Sequence, residues 1–223
     1  MVLVSVSCKK KGYILGGSLE STQTYAHTLT YDVLKGNPSF DTLAMLLDTA
    51  GLIDAVNQPN TTLFAPTDIS IYGYLQARTI ADQNVDPSAQ FGLDSLIYYI
   101  RNNINGTRDS LSMYIIAQPL PFSALTAAGI VYPTGLSGDS AIVSYEYTKD
   151  GNLGYNSIVS SVPQVVYFTQ LWQHYAIGPN TPADSITTQG AHTLCTTSGI
   201  QTQNGYLNTL ESSSVLFFYG SKP

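Results

Sequence analysis

The stretch Thr61-Thr62-Leu63-Phe64-Ala65-Pro66-Thr67-Asp68 decides how the rest of the chain is read. Leu63, Phe64 and Ala65 form a short apolar run behind two β-branched threonines, the composition of a buried strand. Pro66 lacks a backbone donor and holds Ala65 extended, so the strand stops there. Thr67 and Asp68 then offer side-chain oxygens to the open N–H groups of a helix predicted from Ile69 to about Arg78. The octapeptide holds no nucleophile, general base or metal-ligand set. It predicts a structural corner between a core strand and a surface helix.

Upstream of that corner the spacing is helical. A short helix is predicted over Leu29 to Leu34, ended by Gly36-Asn37-Pro38. Ser39 is placed as the cap of a second helix, with Phe40, Leu43, Ala44, Leu46 and Leu47 on one face, Asp41 in the first turn and Gly51 past the end. Leu52 to Val56 is a further helical turn. Downstream, Ala81 to Pro87 is predicted as loop, and Asp86-Pro87 as the start of a helix striped by Phe91, Leu93, Leu96, Ile97, Ile100 and Ile104 and closed by Asn105-Gly106.

Beyond Thr107 the pattern turns to strands. They are expected at Leu111 to Ala117, Ile130 to Tyr132, Ala141 to Tyr147, Ile158 to Val162, Val165 to Phe168, Ala191 to Thr197, Tyr206 to Leu210 and Val215 to Tyr219. Phe122 to Ala128 suggests a helical turn, Asp150-Gly151 a hairpin turn, and residues 178 to 190 a loop. Thr169 to Ile177 fits helix or strand equally. Helices first and strands second argue an α+β fold in one domain.

Composition bounds the function. Of 223 residues 43% are hydrophobic and 11% charged, which describes a folded chain. The net charge is −6, and Lys9, Lys10 and Lys11 are three of only nine basic residues. The acidic body that follows would repel phosphate backbones, so nucleic-acid binding is not expected. No apolar run approaches the roughly 20 residues of a membrane-spanning helix. The sixteen tyrosines suit half-exposed strands, and equally interfaces and sugar faces.

Candidate chemistry is sparse. His192 and Cys195 stand three apart, on opposite faces if the segment is a strand. With His27 and His174 they complete no zinc spacing, and no metal or cofactor is expected. A Cys–His nucleophilic pair stays open, because such groups assemble from distant segments. There is no Gly-x-Ser-x-Gly elbow and no phosphate-binding glycine loop; Gly135-Leu136-Ser137-Gly138-Asp139-Ser140 carries an acid where a phosphate would sit. Asp150-Gly151-Asn152 lacks the alternating acids of a calcium loop. The carboxylates Glu146 and Asp150 show no pattern of acid–base pairing. Asn60-Thr61-Thr62 and Asn105-Gly106-Thr107 are glycosylation sequons that matter only in a eukaryotic secreted chain.

Two resemblances organise these observations. Met1 to Lys11, an apolar-to-small run ending Ser7-Cys8-Lys9-Lys10, resembles the end of a bacterial lipoprotein signal, although Ser5 stands where leucine is usual. It implies lipid on Cys8, a tether over residues 1–27 and a place in the cell envelope. Thr62 to Asp68 resembles the first signature of fasciclin domains, and Ile200 to Leu210, with Asn204-Gly205 before alternating apolar residues, resembles the second. Phe64, Ala65, Pro66, Thr67, Asp68, Asn204 and Gly205 carry the likeness.

That family implies a wedge-shaped β-sandwich with a layer of N-terminal helices over residues 28–220. It also implies an extracellular, non-enzymatic adhesion module. The likeness covers about 28–106 and 197–220; residues 107–196 are longer than the family's usual middle. Asn208 replaces a usual histidine, and Arg101-Asn102 stand where a Tyr-His pair would be, so the family's adhesion residues are not carried over. Lipid-anchored fasciclin proteins of Bacteroidota-type bacteria resemble this chain in their start. The expected partner is a protein or glycan at the cell surface, met by Tyr145, Tyr147, Tyr155, Tyr167, Trp172 and Tyr175. The rival readings are a hydrolase around Cys195 and His192, and a structural subunit of a surface assembly.

Overall fold

A computed structural model describes residues 24–158, 161–173 and 189–222. The first half is helical: β1 (Thr24–Tyr25), α1 (Thr30–Lys35), α2 (Asp41–Ala50), α3 (Ile53–Val56), β2 (Thr61–Ala65), α4 (Asp68–Gln83), α5 (Leu93–Arg101) and α6 (Thr107–Ser110). The second half holds β3 (Ile115–Ile116), β4 (Ile130–Pro133), β5 (Ser140–Tyr147), β6 (Gln164–Leu171), β7 (Gly190–Thr202) and β8 (Gly205–Leu210). This is the α+β order expected.

The strands form one path, β3-β2-β8-β7-β6-β5-β4, with β1 joined to β7. Most pairings are antiparallel; β2 with β8 and β1 with β7 are parallel. β7 is the hinge of the sheet. Its first residues pair with β6 and its later ones with β8, and the register slips between Cys195 and Thr197 and again before Ile200. Bulges of this kind bend a strand and sharpen its twist. Asn208 Oδ1 accepts from Gly199 N there at 2.8 Å.

The bend brings the two halves of the sheet face to face. Phe64 on β2 and Phe168 on β6 are three strands apart in the path, yet their rings lie 4.6 Å apart. At the far side Gly135 N donates to Ile115 O at 2.8 Å, tying the turn after β4 to β3. The sheet is therefore nearly closed, and one continuous folded sheet is present in place of two separate ones. Helices α1, α2, α4 and α5 supply Leu34, Leu43, Leu46, Leu47, Ile71, Leu96 and Ile100 to the core beneath it.

The signature corner is built as the sequence predicts, with one difference. Thr67 caps α4, its Oγ1 accepting from Ser70 N at 3.4 Å. Asp68 serves another helix: its carboxylate accepts from Thr42 N at 3.0 and 3.1 Å and from Leu43 N at 3.2 Å, capping α2. Ser39 is accordingly not a cap. It lies in the turn Pro38–Phe40, where Asn37 accepts from its N–H.

Other expectations are corrected. The third long helix starts at Leu93, not Asp86, because Thr79 Oγ1 accepts from Phe91 N and anchors that segment in extended form; Asp86 holds a local turn with Ser88 instead. α4 runs on to Gln83, through residues expected as loop. Leu111–Tyr114 is a 3₁₀ turn, and only Ile115–Ile116 is strand. Leu216–Phe218 is likewise a 3₁₀ turn, with Phe217 and Phe218 at φ of 60° and 50°. Leu216 and Phe218 both reach the core, and the left-handed backbone of Phe217 and Phe218 is what ends any extended strand there. Asp150-Gly151 makes no two-residue hairpin: residues 148–163 join β5 to β6, and Asp150 caps the turn Gly151–Leu153. Of the strand expected at Ile158 to Val162, Ile158 is exposed in a turn, Ser161 and Val162 lie outside any strand, and Val159 and Ser160 lie outside the described residues.

Candidate partner-binding surface

The aromatic residues singled out in the divergent middle do not form one platform. Cross-strand register puts Tyr145 opposite Val166, on the core side of β5 and β6, and Tyr167 opposite Leu194, on the other side. Tyr145 is half-buried and sits 5.6 Å from Phe122 and 5.8 Å, edge to face, from Tyr147. Tyr147 is 64% exposed at the end of β5. Tyr167 stacks on the His192 ring at 4.1 Å. Trp172 lies just past β6, half-buried, its indole N–H without a partner among the described residues. Tyr155 is in the 148–163 connection. Tyr175, His174 and Cys8 lie outside the described residues.

The Cys–His pair is not assembled. β7 is a strand, so His192 and Cys195 face opposite ways. Cys195 is buried in the core, and burial, with the Glu211 carboxylate second, pushes its thiol far above the usual range. His192 instead bridges Thr169 Oγ1, at 2.7 Å from Nδ1, and Glu146 Oε1, at 3.1 Å from Nε2. The chain of hydroxyl, imidazole and carboxylate has the parts of a nucleophilic triad. Thr169 is fully buried, however, which closes its hydroxyl to any substrate. Among the described residues no three His, Cys, Asp or Glu converge as a metal site, and no helix is long and apolar enough to cross a membrane.

Among the described residues, the outer face of α4 gathers three large exposed apolar side chains on one element. The sixteen residues of this helix run from the Thr67 cap to Gln83. Ile69, Tyr72, Gln76, Ile80 and Gln83 fall at spacings of three and four, so they share one face. That face points to solvent: Ile69 and Ile80 are each 64% exposed and Tyr72 is 55% exposed. No charge stands on it. Asp68 is turned onto α2, and Arg78 is drawn to the opposite flank. An amphipathic helix ordinarily presents charge outward.

Beside this face runs a groove of about 520 Å³ lined by Leu75, Gln76, Thr79, Ile80 and Phe91. Its wall is held by Arg78, whose guanidinium lies 4.4 Å from the Phe91 ring centre, 5.6 Å from Tyr99, 5.9 Å from Tyr219 and 6.0 Å from Tyr74. It also donates to Tyr74 Oη at 3.2 Å and pairs with Asp82 at 3.8 Å. Tyr74 meets Phe91 and Phe217 edge to face, and its own hydroxyl is shifted upward by burial. One cation thereby fastens α4 to α5, to the segment before it and to the end of the chain. The sequence carried a usable signal for this face in the spacing of Ile69, Tyr72 and Ile80, which the reading of a surface helix passed over.

No protein-family model matches the chain, and no curated protein matches it. Among solved structures the chain is similar to a FAS1 domain pair from the insect cell adhesion molecule fasciclin I. The TM-score is 0.44 and the identity 14%, over 79% of this chain and 45% of that one. The chain thus spans less than half of the domain pair. A similarity at that level decides neither fold family nor function.

Proposed function

We propose that this chain is a non-enzymatic binding module of the cell envelope, fasciclin-like in fold, carried on a lipid at Cys8 and recognising a protein partner. The observation that carries the reading is the uncharged, exposed face of α4. Three large apolar side chains, Ile69, Tyr72 and Ile80, stand in water on one well-capped helix. A contiguous patch of this kind marks a contact surface. The likeness of the two signature stretches supports the scaffold reading, and Thr67 at the head of α4 caps the helix that carries the patch. A glycan reading rests on Tyr147 alone, exposed at the end of β5 with Tyr145 against its edge.

The test is retention of the purified chain on cell-envelope preparations. Ile69→Glu with Ile80→Glu is expected to weaken retention at least tenfold, about 1.4 kcal/mol. Tyr147→Ala is expected to leave it unchanged. Equal retention of the α4 variant and wild type removes the reading, and loss on Tyr147→Ala moves it to the glycan surface. Labelled palmitate that enters the wild type and the Cys8→Ser variant alike would sink the anchor.

A further inference from the structure

We infer that the outer face of α4 is self-complementary and that its partner is a second copy of this chain, paired about a two-fold axis. The inference rests on the binding-module reading and names the partner of that same surface.

Tyr72, Gln76 and Ile80 follow one another at four-residue spacing and form a ridge along α4. Leu75 and Thr79 belong to the next ridge, three positions away. The groove of about 520 Å³ lies between these two rows, with Phe91 behind it. Ridges at this spacing on two helices interlock with axes crossing at about −50°. α4 therefore carries both halves of the contact, a ridge and the groove that receives it. A two-fold axis near the middle of the helix sets each copy's Tyr72 toward the other's groove. The same axis brings Ile69 of one copy nearest Ile80 of the other. A surface that fits itself in this way is what an isologous dimer requires.

Charge points the same way. Each copy carries a net −6, so most of its surface repels a second copy. The face from Ile69 to Gln83 has no charged side chain, so two copies meet there with no like charges in the contact. The exposed parts of Ile69, Tyr72, Gln76 and Ile80, with their rim, give on the order of 1,200 Å² buried across two copies, the lower edge for a specific pair. An interface of that size fits a reversible pairing, and its strength is what the experiment reads.

Sedimentation equilibrium of the full chain, carrying Cys8→Ser so that no lipid intervenes, tests this over roughly 1 to 300 µM. A monomer–dimer equilibrium is expected. Ile80→Glu and Ile69→Lys should each weaken it at least tenfold, with no change in the thermal midpoint at concentrations where both chains are monomeric. An equimolar mixture of the Ile69→Lys and Ile80→Glu chains should regain the dimer, since the two-fold axis sets those positions against each other. A chain that stays monomeric throughout, or an Ile80→Glu dimer as tight as wild type, overturns the inference. A monomeric chain whose envelope retention still depends on Ile69 and Ile80 rejects self-pairing and leaves the binding module standing. A dimer with retention independent of those residues does the reverse.

Discussion

Asn204 joins three separated pieces of the chain through one buried side chain. Its Oδ1 accepts from Thr30 N at 2.8 Å and from Thr30 Oγ1 at 2.9 Å, and its Nδ2 donates to Val56 O at 2.9 Å and Gln58 O at 3.2 Å. The head of α1, the end of α3 and the β7–β8 turn are fixed together. The next residue is glycine for a reason of space. A Cβ on Gly205 would stand 1.7 Å from Thr61 O, so β8 can approach β2 only without a side chain there. Asn-Gly read as a turn predicts positive φ for such a pair. Asn105 and Gly106 do adopt it, at 54° and 73°, but Asn204 and Gly205 do not. The motif was legible in the sequence, and its cause was not, because the neighbour that forbids a Cβ comes from 144 positions away.

Cys195 gives a pH dependence at the same scale. Burial holds its thiol neutral well above the ordinary value of 9.0. The folded state thus binds this proton more tightly than the unfolded chain. Its contribution is full below the unfolded thiol's range and is lost as pH rises through and beyond it. In urea unfolding the Cys195 share of stability should be level below about pH 7.5 and then fall by up to about 1.4 kcal/mol per pH unit, on top of the share of the buried tyrosines. Cys195→Ala should lessen that slope between about pH 9 and 10 by one proton's worth. An unchanged slope would place the titration elsewhere.

Among the elements, α4 is the one whose two sides have separate tasks. Its inner side is locked by Arg78 among four rings, and its outer side stays apolar and free of charge. Arg78→Ala should cost on the order of 2 kcal/mol, since the partly desolvated cation–ring contacts and the Tyr74 bond go together. Arg78→Lys should recover only part, for it keeps the charge and loses the planar stack. Thermal unfolding of the three chains checks the order. The lock could not be read from sequence, because Phe91, Tyr99 and Tyr219 converge only after folding. α2 was legible down to its apolar face, since local periodicity suffices. Its cap was not: Asp68 reaches it from 27 residues beyond its start. The segment from Val215 to Tyr219 misled for the opposite reason. Its composition favours strand, but Tyr114 Oη accepts Phe217 N at 2.7 Å and holds the backbone in a turn.

The molecule as a whole depends on closing its sheet. Gly135 is the clasp: its N–H reaches Ile115 O, and a Cβ there would lie 2.8 Å from Ser112 O. Gly135→Val should force β3 from the turn after β4 and cost about 2 kcal/mol, within the range of steric core changes. Hydrogen exchange should quicken first at Ile115 and Ile116. The α+β class was legible from the order of patterns along the chain. The folded single sheet was not, because its bend lies in the bulges of β7, and bulges leave no hydrophobic period to read.

The parallel pairing of β2 with β8 also bears on how the chain is made. β2 is complete by Ala65, yet the strand that covers its edge is Gly205–Leu210, near the other end. A chain emerging from its N-terminus therefore carries an apolar strand with an open edge until Gly205–Leu210 has been synthesised. Such an edge is a template for wrong pairing. The helices around it cannot stand as a finished unit, since Thr30 and Val56 still await Asn204. The sheet can close over β2 only once the β7–β8 hairpin is out.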